Sequence, residues 1–331
     1  SWQFVVDALK TGRWIIAPDW RGFGHTRLEG PAVDSYWFPD YMADLDALLD
    51  HYAGERQVDL VGHSMGGNIA MMYAGVRPQR IEHLVNLEGF GMPETRPAQA
   101  PGRYAQWMDE IKTVQRGGKA LKSYADADGV ARRLMKTNPR LAQAKADWLA
   151  RQWAQPDAQG RWVILGDPAH KVTSATLYRV EEALAIYRRI TAPTLSVTAS
   201  GDSLAQWWKG RFSLAEYRER IAQIPQVQEA VIQEAALAEM KATPIAELKD
   251  YGASVGPLQS VGFRMVADLS PHSVRTLLNY RGIGDVTASA AIAAQVPPRS
   301  TMTVMRIHTS LTCTLSVRIT LQRNLLLIHR I

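Results

Sequence analysis

The string Gly62-His63-Ser64-Met65-Gly66 constrains this chain more than any other feature, because of what flanks it. Val58-Asp59-Leu60-Val61 before it reads as a buried strand, and Met65 to about Gly75 after it reads as a helix. The backbone must therefore turn from strand to helix at Ser64 itself, a strained conformation that lifts the side chain above the sheet. Gly62 and Gly66 remove side chains that would collide where strand and helix come close. The string alone arises by composition in roughly one chain in ten of this length. Its meaning comes from the strand–turn–helix context. The helix N-terminus faces Ser64, which leaves the Met65 N–H available to a developing anion. The competing reading is a helix-capping serine beside packing glycines.

The same alternation extends on both sides. Residues 2–10 place apolar groups at helical spacing and Gly12 stops them. Trp14 to Ala17 reads as a buried parallel strand closed by Pro18-Asp19, followed by the turn-rich Arg21-Gly22-Phe23-Gly24-His25-Thr26. Asp40 to His51 is an amphipathic helix with Tyr41, Leu45, Leu48 and Leu49 on one face. Ile81 to Leu87 is a strand, and a strand through Thr194-Leu195-Ser196-Val197-Thr198-Ala199 leads to Ser200-Gly201-Asp202. Glu229 to Glu234 makes a last strand. Strands alternating with helices predict an α/β fold with a mostly parallel sheet. Between about Met92 and Thr191 the alternation lapses into a helical block, which reads as an insertion into the sheet domain.

At this point a resemblance enters. Asp19-Trp20-Arg21-Gly22-Phe23-Gly24, Gly62-His63-Ser64-Met65-Gly66-Gly67 and Pro193 through Asp202 resemble, in order and spacing, the α/β-hydrolase superfamily. The branch is that of capped esterases, epoxide hydrolases and haloalkane dehalogenases, and the similarity covers about residues 1–236. Members of the last two groups use an aspartate nucleophile, so Ser64 points to the serine esterases. The resemblance implies ester hydrolysis through an acyl-enzyme, with Ser64 as nucleophile, Met65 N–H in the oxyanion hole and a lid over the site. It places the catalytic acid at Asp202, whose ordinary alternative is a turn aspartate. Glu88 is the rival acid, with a salt bridge or cap as its own alternative. It implies domain bounds of 1–91 and 193–236 for the core and 92–192 for a helical cap. Trp107, Trp148, Trp153, Trp162, Trp207 and Trp208 lie in or beside that cap, suited to an apolar ester or simply to packing.

Two parts of that machinery are not found where the resemblance expects them. The family's base follows the last strand, yet here Ala235-Ala236-Leu237 follows, and the next histidine is His272. The base is therefore unassigned, and a serine without one is a poor nucleophile near neutral pH. His63 should point away from the reaction centre, and the His25 loop does not normally supply a base. His51, His83 and His170 read as surface or packing residues. The loop giving the second oxyanion N–H lies before the first helix, so the first strands and half the oxyanion hole are expected to be missing from the sequence as given.

Beyond Ala236 the composition changes. Residues 237–296 are Ala- and Gly-rich and helical, and Leu278 through Ala288, with Gly282-Ile283-Gly284, resembles a helix-hairpin-helix element. Such turns grip nucleic-acid phosphates, but Asp285 is unhelpful there and an ordinary helical hairpin is the simpler reading. Residues 297–331 read as a basic tail, either disordered or a sequence artefact. The net charge of +6 owes much to that end, since no acidic residue follows Asp285. A small-molecule ester, not nucleic acid or membrane, is thus the expected partner, and no metal or organic cofactor is implied. A single cysteine, Cys313, suits a reducing compartment and suggests the cytoplasm. The alternatives are a non-catalytic ligand-binding relative and a nucleic-acid-contacting protein.

Overall fold

The computed structural model describes residues 2–9, 14–26, 34–118, 120–199, 203–232, 244–251, 253–269, 277–279, 283, 287 and 324–329. Its centre is a six-stranded parallel sheet whose strands, in spatial order, are β1 (Trp14–Ile16), β9 (Asn324–His329), β2 (Val58–His63), β3 (Ile81–Leu87), β7 (Thr194–Ala199) and β8 (Val227–Ile232). The chain opens with α1 (Gln3–Leu9) and β1 (Trp14–Ile16), continues through α2 (Phe38–Ala53) to β2 (Val58–His63), and enters α3 (Met65–Val76). β3 (Ile81–Leu87) follows. The interval up to Pro193 holds α4 (Ala100–Gln115), β4 (Ser123–Tyr124), α5 (Ala127–Thr137), α6 (Gln143–Trp153), β5 (Ala154–Pro156), β6 (Trp162–Ile164) and α7 (Val180–Tyr187). The sheet resumes with β7 (Thr194–Ala199), α8 (Ser203–Trp208), α9 (Leu214–Ile221) and β8 (Val227–Ile232).

β2 is buried along almost its whole length, as a strand covered by helices on both faces must be. α2 turns Tyr41, Leu45, Leu49 and Ala53 onto the core, at the spacing of one helical face. α3 is buried nearly all round; Gly67 lets it approach the end of β3 at Asn86 and Gly89, and Gly75 lets it approach Ile186 of α7. The resulting core joins Leu60, Ile69, Met71, Leu84, Tyr187, Phe212 and Tyr217 in one cluster.

The block between β3 and β7 departs from the all-helical expectation. It also carries a three-stranded antiparallel sheet, β4-β6-β5, packed with α5 and α6 around Val130, Ala131, Ala146 and Ala150. Strands of two or three residues are too short to show an alternating pattern, which is why the sequence hides them.

The C-terminal region brings a larger correction. β9 (Asn324–His329) lies inside the stretch read as a basic tail outside the folded units. It is instead a central strand, parallel to β1 on one side and β2 on the other, and it occupies the place where the sheet was expected to be incomplete. Asn324-Leu325-Leu326-Leu327-Ile328-His329 holds four consecutive apolar residues, the signature of a strand buried on both faces. Before it, α10 (Val255–Ser260) and short 3-10 turns at Ile245–Tyr251 and Val266–Leu269 gather around their own small core of Ile245, Leu248, Leu258, Val266 and Leu277. Gly282 and Gly284 of the hairpin motif lie outside the described residues.

Candidate active site

The site begins with backbone geometry. Ser64 has φ 54° and ψ −119°, a left-handed conformation that costs a non-glycine residue energy and persists only where the surroundings impose it. They do so here. The Ser64 N–H donates to Leu87 O at 2.8 Å, and Ser64 O accepts from Asn68 N–H at 3.1 Å. A Cβ on Gly62 would lie 2.4 Å from Gly66 O, so the strand can pass the helix only as glycine. The Ser64 side chain makes no capping bond to α3, which removes the helix-cap reading.

Beside Ser64 stands a buried polar network. Asn86 donates to Gly89 O at 3.1 Å and to the Tyr217 hydroxyl at 2.8 Å, and its Oδ1 accepts from the Gly89 N–H at 2.9 Å. The Tyr217 hydroxyl also meets Ser196 Oγ at 2.6 Å. Burial pushes the Tyr217 phenol up to about 12. This network fixes the turn leaving β3, where Glu88 adopts φ 53° and its Oε1 accepts from the Ala199 N–H at 3.1 Å. Glu88 thus ties the ends of β3 and β7 together, one residue past the strand that flanks Ser64. Asp202 lies outside the described residues, three positions beyond Ala199.

The described histidines fall into clear places. His25 and His51 are exposed. His83 Nδ1 lies 2.7 Å from Asp59 Oδ1, near the N-terminal ends of β2 and β3, away from Ser64. Asp59, Glu82 and His83 could together offer three metal-ligand atoms, but the His83–Asp59 contact already accounts for the pair. His63 is half-buried; desolvation depresses its pKa, opposed by the nearby Glu88 charge. His170 is stacked between Phe23 at 3.9 Å and Tyr36 at 3.8 Å, and its Nδ1 lies 3.1 Å from the Tyr41 hydroxyl. His272 is outside the described residues. Two histidines were not weighed from the sequence: His308, which lies outside the described residues, and His329, the last residue of β9, which stands in register with His63, the residue before Ser64. The apolar run that ends in it was the available signal.

The block inserted between β3 and β7 is fastened to the loop after β1. Gly24 N–H donates to Leu165 O at 3.0 Å, Asp167 N–H to Gly22 O at 2.9 Å, and the Tyr36 hydroxyl to Asp167 Oδ2 at 2.9 Å. Gly22, at φ 73°, has no room for a side chain, since a Cβ would meet the Tyr36 hydroxyl at 2.3 Å and His170 Nε2 at 2.6 Å. Arg21 anchors the same loop to α2 with two bonds to Asp44, at 2.6 and 2.5 Å. A cleft of about 600 Å³ is lined by Met92, Glu94, Arg96, Arg103, Trp208 and Arg211, among others. Ser64 is not in that lining. Buried Arg220 holds its wall by donating to Met92 O at 2.6 Å. Of the tryptophans weighed as lid-lining or packing residues, Trp162 packs into the inserted block's own core, Trp207 is 80% exposed, and Trp208 reaches the cleft.

A parallel sheet and a strained serine between strand and helix, with a block of helices and short strands inserted between β3 and β7, define a class. The chain belongs to the alpha/beta hydrolase fold family, whose model matches residues 1–236. Among curated relatives it is similar to a cis-3-alkyl-4-alkyloxetan-2-one decarboxylase of Shewanella oneidensis, 35% identical over 41% of this chain and 44% of that protein. It is also similar to a 2-hydroxymuconate semialdehyde hydrolase of a Pseudomonas species, 38% identical over 34% of this chain and 40% of the relative. The chain thus spans less than half the length of either. A solved thioesterase domain from the curacin biosynthetic pathway shares the fold, with a TM-score of 0.55 and 22% identity over 65% of this chain and 73% of that one. Among the described residues, no helix is long and apolar enough to cross a membrane.

Proposed function

We propose that the protein is a serine hydrolase that cleaves a small-molecule carboxylic ester through an acyl-enzyme at Ser64. The observation that carries this reading is the Ser64 backbone at φ 54°, held by Leu87 O and Asn68 N–H with no capping role for the side chain. Strain of that kind survives selection where it serves chemistry. In this mechanism Ser64 Oγ attacks the ester carbonyl, and the carbonyl oxygen gains charge at the N-terminus of α3. There the Met65 N–H stabilises it, and the alcohol leaves as the acyl-enzyme forms. Water then releases the acid. An acid at Asp202, or at Glu88 in its place, orients the base that takes the Ser64 proton. No cofactor takes part. We place the protein in the cytoplasm, as its single cysteine suggests.

A fluorophosphonate probe tests the reading directly. It should label the full chain at Ser64 and fail on Ser64→Ala. A folded chain that takes no label, by circular dichroism and mass spectrometry together, is a ligand-binding relative and not an enzyme.

A further inference from the structure

We infer that β9 belongs to the functional site, and that its docking between β1 and β2 holds Ser64 in its nucleophile conformation. β1 and β2 do not pair with each other; each pairs with β9. β1 has no other partner among the described strands, so the sheet on that side of β2 exists only while β9 is in place. The register is Asp59 to Leu325, Leu60 to Leu326, Val61 to Leu327, Gly62 to Ile328 and His63 to His329. Pairing therefore runs up β2 to the residue before Ser64 and stops there.

Ser64 is held from one side by Leu87 O of β3. β9 supplies the matching constraint on the other side of β2, where an unpaired edge would let the end of the strand twist away. A second geometric point concerns the main chain of β9 itself. Its pairing with β1 ends at Leu326 opposite Ile16, whereas its pairing with β2 continues to His329. Leu327–His329 thus run past the end of β1 beside the elbow, about 4.8 Å from β2 as neighbouring strands must be. The last turn of β9 is backbone presented to the same space as the N-terminus of α3. The occupant of the slot between β1 and β2 is a segment that the chain reaches only after residues 233–323, and not a strand local to β1 or β2. Nucleophile geometry in this protein is coupled to the docking of that distant strand.

The inference rests on Ser64 being the nucleophile, so the test reads docking and chemistry separately. Leu327→Pro in the full chain removes a main-chain donor from the middle of a central strand, where proline is not accommodated; Leu327→Val keeps the strand. Hydrogen exchange should show Leu325–Ile328 protected in the native chain. In Leu327→Pro, the Ser64 amide should lose protection while β7 and β8 keep theirs, and fluorophosphonate labelling should slow by about a hundredfold. Leu327→Val should match the parent on both readouts. If Leu327→Pro does not fold, native-state exchange of the parent in low urea decides: β9 and Ser64 amides should open in one step, ahead of β7 and β8. The inference fails if Leu325–Ile328 exchange as an open chain, or if Ser64 protection is indifferent to their opening. A parent chain that never labels, with β9 protected and coupled to the Ser64 amide, overturns the proposed hydrolase chemistry and leaves the coupling standing.

Discussion

The two halves of the central sheet are built from different kinds of chain. On one side, β2, β3, β7 and β8 come in sequence order and each pairs with its predecessor in the sheet. α3 carries the chain from β2 to β3, and α8 and α9 carry it from β7 to β8, in the way parallel neighbours are usually connected. On the other side, β1 and β9 come from opposite ends of the chain and meet nowhere else. Closing that contact means ordering a very long loop, whose entropy must be lost before any pairing rewards it. The same fold thus has a half assembled by short crossovers and a half assembled by a distant return. The strained serine stands on the strand that divides them.

Substitutions in the first half should be the most damaging. Leu84 is about 1% exposed in β3 and belongs to the main core, so Leu84→Ala should cost about 2–5 kcal/mol by urea unfolding. A loss well under 1 kcal/mol would mean that the contiguous half is not the stable one. Asn86→Ala should come next. It strands the buried Gly89 N–H and one partner of the Tyr217 hydroxyl, a loss of about 1–3 kcal/mol. Fluorophosphonate labelling should fall further than stability, because the turn beside Ser64 loosens; equal labelling would show that the network serves packing alone. The smallest effect is a pH dependence. The folded pKa of His63 lies below its ordinary value, so the folded chain binds that proton less readily than the unfolded one. Its contribution is therefore fully present above about pH 6.5, the usual histidine value, and is lost as pH falls through the depressed folded pKa. His63→Gln should flatten the acid limb of a stability–pH curve, and an unchanged limb would rule His63 out as its source.

The contrast also explains what could be read from the sequence. The strand 81–87 and the strand 194–199 match the reading residue for residue, and the helices 38–53 and 65–76 extend it by one or two positions. Their patterns are local: an apolar run, a turn residue, a 3.6 period. The Ser64 elbow was legible for the same reason, since all its steric requirements fall within five residues. β9 was not, because a four-residue apolar run says nothing about which strands will receive it, and its partners lie some 260 residues or more away. The short strands β4 to β6 were hidden by their length, and the fastening of His170 between Phe23 and Tyr36 by the distance between those residues in the chain.

That fastening bears on how far the protein is modular. The cap looks in sequence like a replaceable insert, bounded by β3 and Pro193. Yet its 165–170 stretch is hydrogen-bonded to Gly22 and Gly24 and stacked on Phe23 and Tyr36, so part of its seat is encoded more than 50 residues before the insertion begins. A foreign block grafted at the obvious junctions would arrive without its anchor. Exchanging the inserted block would require transplanting the loop after β1 together with it, as one unit.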